Sequence, residues 1–157
     1  MKFGGSSLAN AGRIKNAARI VQRFSKENRI VVVASAMGDT TDWLVEIGEL
    51  ARKGETARAR KILSKIQTLH TETARATSPQ KVRKELLTII VGLQGDLKKT
   101  LEGISHLREL TPRSRDYLLS FGERLSTPIL AMTIRSLGLK TRALTGGEAG
   151  ITSDERF

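Results

Sequence analysis

Arg29-Ile30-Val31-Val32-Val33-Ala34-Ser35-Ala36-Met37-Gly38-Asp39 is the stretch that decides the architecture of this 157-residue chain. Ile30 to Ala34 is an unbroken apolar run, β-branched at four of its five positions. Such a run reads as a strand buried on both faces of a parallel sheet. Small and polar residues break it at once. Upstream, Lys2-Phe3 enters Gly4-Gly5-Ser6-Ser7, and a helix is expected from about Ala9 to Ser25, carrying Ile14, Ala17, Ala18, Ile20, Val21 and Phe24. Downstream, Trp43, Leu44, Ile47, Leu50 and Ala51 recur at helical spacing. Strand, crossover helix, strand, loop, helix is the grammar of a parallel sheet covered by helices.

The remainder reads as mainly helical. Lys53-Gly54 interrupts, and Glu55 to about Ala76 aligns Ile62, Leu63, Ile66 and Leu69. Ser78-Pro79 starts a long amphipathic helix running through Val82, Leu86, Ile90, Leu93, Leu97, Leu101 and Ile104. Thr111-Pro112 repeats the start signal, and the pattern continues to Gly138 with Pro128 inside it as a possible kink. Leu139 to Leu144 alternates weakly and reads as a third strand closed by Gly146-Gly147. The fold class expected is α/β, helix-rich, with few and short strands.

Composition narrows the function. Lys and Arg number 27 against 16 Asp and Glu, giving a formal charge of +11. Residues 1–38 hold seven basic residues and one acid, so more than half of the excess lies in the first quarter. Arg13, Lys15, Arg19, Arg23 and Lys26 lie along one helical segment and read as its solvated face. A basic nucleic-acid-binding helical module is the alternative from another class, but base-stacking aromatics and a reading motif are missing among the basic residues. The absence of Cys excludes disulfides, Cys-type zinc sites and a thiol nucleophile, and fits a cytoplasmic protein. The longest apolar stretch is far short of the roughly 20 residues needed to span a membrane. Lys2-Phe3-Gly4-Gly5 does not read as a signal peptide. His70 and His106 are isolated, without metal-ligand spacing, and no Gly-x-Ser-x-Gly elbow or glycosidase carboxylate pair is identifiable.

Three loops carry possible chemistry. Lys2-Phe3-Gly4-Gly5-Ser6-Ser7 joins a strand to a helix. Paired glycines let backbone N–H groups approach an anion, and Lys2 adds a full charge; plain helix capping is the competing reading. Ser35 to Asp42 lies at the carboxyl end of the central strand, where open α/β sheets bind ligands. It offers Ser35, Thr40 and Thr41 as hydroxyls, with Thr40 or Thr41 equally readable as the cap of the next helix. In Ser120-Phe121-Gly122-Glu123-Arg124-Leu125-Ser126, a glycine costs the helix interior about 1 kcal/mol relative to Ala. Close approach by another helix or by a ligand explains it, and Glu123 is either solvated or the partner of an ammonium.

Together these motifs resemble aspartate kinases of the amino-acid-kinase family. The resemblance rests on Lys2 to Ser7, on Val32 to Gly38 with Thr41, and on Leu110-Thr111-Pro112-Arg113-Ser114-Arg115-Asp116 leading to Ser120 to Ser126. Gly146-Gly147-Glu148-Ala149-Gly150-Ile151 and residues 152–157 extend it to the last residue. It implies part of a three-layer α/β/α sandwich with a mainly parallel sheet. It implies transfer of a phosphoryl group from ATP, with Mg2+, to the β-carboxylate of L-aspartate, the first step of lysine, threonine and methionine synthesis. By resemblance, Lys2 stabilises the transferring phosphoryl group with Gly4, Gly5 and Ser6; Ser35 and Thr41 contact aspartate; Glu123 holds its ammonium. No residue is assigned to a metal. Only Met1 precedes Lys2, where the family has further apolar residues, and no Gly-Arg-Gly-Gly-Ser-Asp loop follows. Residues 1–157 are therefore expected to form the amino-terminal, aspartate-binding portion, inactive alone. It would act as a homo-oligomer or with a separate second half, a split-enzyme or non-catalytic subunit of the same fold being the near alternative.

Overall fold

β1 (Lys2–Phe3) and β2 (Val33–Ala34) form a parallel pair, with Lys2 opposite Val33 and Phe3 opposite Ala34. They belong to a computed structural model that describes residues 1–152 and 154. Hydrogen bonds extend the pairing beyond the strands themselves. The Val33 N–H donates to the Met1 carbonyl at 2.8 Å, and the Ser35 N–H to the Phe3 carbonyl at 3.0 Å. The terminal ammonium donates to the Val31 carbonyl at 2.7 Å.

Five helices complete the fold: α1 (Ala11–Phe24), α2 (Thr40–Lys53), α3 (Thr56–Thr77), α4 (Gln80–Leu107) and α5 (Pro112–Ser136). Their apolar stripes meet in one core that includes Leu8, Ile14, Leu44, Ile66, Ile90 and Phe121, all with no exposed surface. α1 connects the two strands, α5 packs on α1 and α4, and α2 contacts α3, α4 and α5. Among the described residues no helix is long and apolar enough to cross a membrane. Thr111 caps α5 by accepting from the Ser114 N–H at 3.2 Å, and Pro112 follows at the first position, as the sequence signals. α5 then continues through Pro128 as one helix.

Three expectations change. The run Ile30 to Ala34 is not buried on both faces. Ile30, Val32 and Ala34 pack against the core, while Val31 and Val33 are 78% and 56% exposed. Successive residues of an extended chain alternate faces, and the described helices cover only one of them. α1 begins at Ala11 rather than Ala9, because Asn10 caps it by accepting from the Arg13 N–H at 3.0 Å. A four-residue 3-10 turn, Gly5–Leu8, fills the space before it. Leu139 to Leu144 is not a strand, since it finds no ladder partner among the described residues. It is held by side chains instead, with the Thr141 hydroxyl donating to the Ala131 carbonyl at 2.9 Å. Of the terminal stretch with family resemblance, Ser153 and residues 155–157 lie outside the described residues.

The α2–α3 corner depends on Gly54, whose φ of 73° is left-handed and whose N–H closes the last turn of α2. A side chain there would also run into the Arg108 guanidinium, which donates to the Lys53 carbonyl at 2.6 Å. Gly54→Ala should therefore lose about 1–2 kcal/mol in a urea titration, the usual penalty of a left-handed non-glycine residue. Gly95 is the internal contrast. It is exposed within α4, and a Cβ there meets nothing within 4 Å. Gly95→Ala should gain about 0.5–1 kcal/mol in the same titration.

His70 is fully buried on α3, with Nδ1 at 2.7 Å from the Ile66 carbonyl and Nε2 without a partner among the described residues. A carbonyl only accepts, so Nδ1 carries the proton and Nε2 is bare. Burial lowers the pKa of this imidazole, an effect opposed by the Ile66 carbonyl. The unfolded chain binds the proton from about pH 6.5 downward while the folded one resists it, so stability falls as pH falls below that value. The urea midpoint should drop between pH 7.5 and 5, and drop less in His70→Leu; equal slopes would contradict the assignment.

Candidate functional site

The site is built where the turn after β1 meets the loop after β2. Gly4 is extended at the head of the Gly5–Leu8 turn, and its carbonyl accepts from the Ser7 N–H at 3.0 Å. The Gly5 carbonyl accepts from the Gly38 N–H at 3.1 Å. A Cβ on Gly5 would stand 3.1 Å from the Ala36 carbonyl oxygen and 3.2 Å from that of Gly38, so only glycine lets the two loops sit this close. Gly38 itself is left-handed, with φ 49°, and turns the chain toward α2. Directly behind the glycines the turn is 3-10, and α1 begins only at Ala11 behind its own Asn10 cap.

α5 supplies the third wall. The Glu123 Oε1 accepts from the Ala36 N–H at 3.2 Å, and the Ser126 hydroxyl donates to the Ser35 carbonyl at 2.8 Å. Gly122 is buried against the same loop, and a Cβ there would come within 2.7 Å of the Ala36 Cβ. The glycine in the α5 interior thus answers first to a loop, with the Leu44 side chain of α2 next at 3.6 Å. Tyr117 and Phe121 stack edge to face at 5.4 Å, and the Arg124 guanidinium lies 4.5 Å from the Phe121 ring centre. Arg124 is drawn onto its own helix, and Glu123 makes no ion pair among the described residues. An exposed carboxylate held through one oxygen by a peptide N–H keeps the other oxygen for a cation.

Gly5, Ser35 and Glu123 are therefore brought into one cluster, with Gly4 at its edge. Lys2 is exposed on β1, and its backbone lies beside Val33, two residues before Ser35. Ser6 is exposed on the turn. Thr41 is exposed on the first turn of α2. No hydrogen bond ties the side chains of Lys2, Ser6 or Thr41 to another described residue, so all three are unengaged around the cluster. Neither threonine caps α2. Asp39 holds that position without a side-chain bond, and the buried Thr40 hydroxyl donates to the Met37 carbonyl at 2.6 Å. Ser126 and Ala36 carried no signal of their own in the sequence. The spacing 122, 123, 126, which places three residues on one side of a helix, is the only hint available there.

Known proteins resemble this chain along almost its whole length. The amino acid kinase family matches residues 1–156. The chain is 40% identical to aspartokinase 1, chloroplastic, of Arabidopsis thaliana over 158 residues, covering 99% of this chain and 26% of that protein. It is 33% identical to an aspartokinase of Corynebacterium glutamicum, with 99% and 24% covered. E. coli aspartokinase III in complex with lysine and aspartate superposes with a TM-score of 0.76 at 25% identity, over 88% of this chain and 29% of that one. The same enzyme in complex with aspartate and ADP gives 0.68 at 29% identity, with the same coverage. The chain thus spans about a quarter of the length of these relatives. Matched from its first residue to residue 156, and built on a parallel β1–β2 pair with helices against it, the chain belongs to the amino acid kinase family.

Proposed function

We propose that residues 1–157 form the aspartate-binding portion of an aspartate kinase, which transfers the γ-phosphoryl group of ATP to the β-carboxylate of L-aspartate. The observation that carries this reading is the Glu123 carboxylate, anchored on the Ala36 N–H beside Ser35 and without a cationic partner among the described residues. It faces the loop at the carboxyl end of β2, where a parallel sheet presents ligands. The relatives named aspartokinase, and the solved complexes with aspartate and with ADP, support the substrate pair.

In this reading Glu123 takes the substrate ammonium with its second oxygen, while Ser35 and Thr41 orient the carboxylates. An oxygen of the β-carboxylate attacks the γ-phosphorus, the bond to the ADP oxygen breaks, and 4-phospho-L-aspartate and ADP leave. Lys2, with the backbone of Gly4 and Gly5 and the Ser6 hydroxyl, stabilises the charge on the transferring group. Such transfer needs positioning and charge stabilisation without a covalent nucleophile. Among the described residues no three His, Asp or Glu side chains cluster as a metal cage. Mg2+ would come with the phosphates of ATP and would neutralise part of their charge.

In the protein at its full natural length, Glu123→Ala should raise the KM for aspartate about 10- to 100-fold, the range for losing a hydrogen bond to a charged group. The KM for ATP should stay within about twofold on the same principle. Lys2→Ala should instead lower kcat by about 100-fold or more, because its charge matters most as the phosphoryl group transfers. Equal effects of Glu123→Ala on both substrates would mean that its role is wrongly assigned.

A further inference from the structure

The two α5 hydrogen bonds to the loop share a target. The carbonyl of Ser35 and the N–H of Ala36 are the two polar ends of one peptide group. Ser126 donates to the first at 2.8 Å, and Glu123 accepts from the second at 3.2 Å. A planar trans peptide points these ends in opposite directions. Glu123 and Ser126 stand three residues apart, nearly one helical turn, on the same side of α5. The peptide therefore lies along α5 between two residues that grip it from both ends. Gly122 lets it come close, since any side chain there would strike the Ala36 Cβ. Ser126 has no exposed surface, and its hydroxyl also lies 3.2 Å from the Glu123 carbonyl, so its donor is held within the helix as well.

We infer that Ser126 is a positioning residue: by fixing the Ser35–Ala36 peptide against Glu123, it presets the Ser35 hydroxyl and the free Glu123 oxygen for one substrate. Rotation of this peptide would break both bonds together, so the two substrate-facing groups are set by a single backbone orientation. The consequence for Glu123 is a double role, with one oxygen on the loop and one for the ammonium. This inference rests on the proposed aspartate site for its functional meaning, while the grip itself is a property of the chain alone.

Amide hydrogen exchange tests the grip. In Ser126→Ala, the Ala36 N–H should exchange about tenfold faster, the effect of one lost hydrogen bond to a carbonyl that remains shielded. The amides of Leu86 and Ile90 in α4 should be unchanged. Glu123→Gln, whose side-chain oxygen still accepts, should leave Ala36 close to the unmutated rate, and Glu123→Ala should not. An unchanged Ala36 rate in Ser126→Ala, or one that rises only in step with Ile90, would overturn the inference. Kinetics of the full-length enzyme separate this from the function itself. Ser126→Ala should raise the KM for aspartate about tenfold with the KM for ATP unmoved, and Ser126→Thr, which restores the hydroxyl, should recover it. Normal aspartate kinetics in Ser126→Ala would refute the positioning role. Failure of the unmutated enzyme to phosphorylate aspartate would refute the proposed function and leave the exchange result standing.

Discussion

The Ser35–Ala36 peptide and its two α5 partners are the contact on which the rest of the site depends. Ser35 follows β2, and its N–H bond to the Phe3 carbonyl sets the first motif beside the second. Gly5 then locks onto Gly38, and Gly122 receives Ala36. Segments as far apart in sequence as Gly5 and Ser126 thus converge on one loop of four residues. The helices behind it act as a scaffold. Phe121 and Leu125, fully buried to either side of Glu123, fix the rotation of α5, and that rotation aims Glu123 and Ser126 at the peptide. Packing in the core is converted into orientation at the surface.

The charge distribution has a corresponding logic. α1 leads away from the Gly5–Leu8 turn and carries Arg13, Lys15, Arg19 and Arg23 on exposed positions. None of these forms an ion pair among the described residues. Screening confines such charges to within about 10 Å at ordinary salt, so only those on the first turns of α1, such as Arg13 and Lys15, add positive potential near the Gly5–Leu8 turn. The sheet face away from the helices exposes Val31 and Val33, with Lys2 beside Val33. Exposed valines on β2 suit a further packing layer, in keeping with relatives about four times as long as the chain.

Much of this was legible in the residues themselves. Helix stripes such as Leu86, Ile90 and Leu97, the Thr111-Pro112 start and the Gly54 stop are local signals, and the structure bears them out. The helix-interior cost of Gly122 correctly announced a close approach. What failed was tertiary. The alternating exposure of Val31 and Val33 depends on how many layers surround the strand, which a run of apolar residues does not encode. Leu139 to Leu144 alternates as a strand would but lacks a neighbour to pair with. The grip on Ser35 joins residues 91 apart, and nothing in a serine at 126 distinguishes a loop anchor from an ordinary helix hydroxyl.

The central claim is the proposal that the Gly5, Ser35 and Glu123 cluster receives the ammonium and carboxylates of aspartate. A titration of the isotopically labelled protein with L-aspartate, followed by amide chemical shifts, tests it most directly, with succinate as the ligand lacking the ammonium. The account predicts saturable shifts clustered at Gly5, Ala36, Thr41 and Glu123, clearly weaker with succinate. Shifts of equal strength with both ligands, or shifts centred away from these residues, would contradict it.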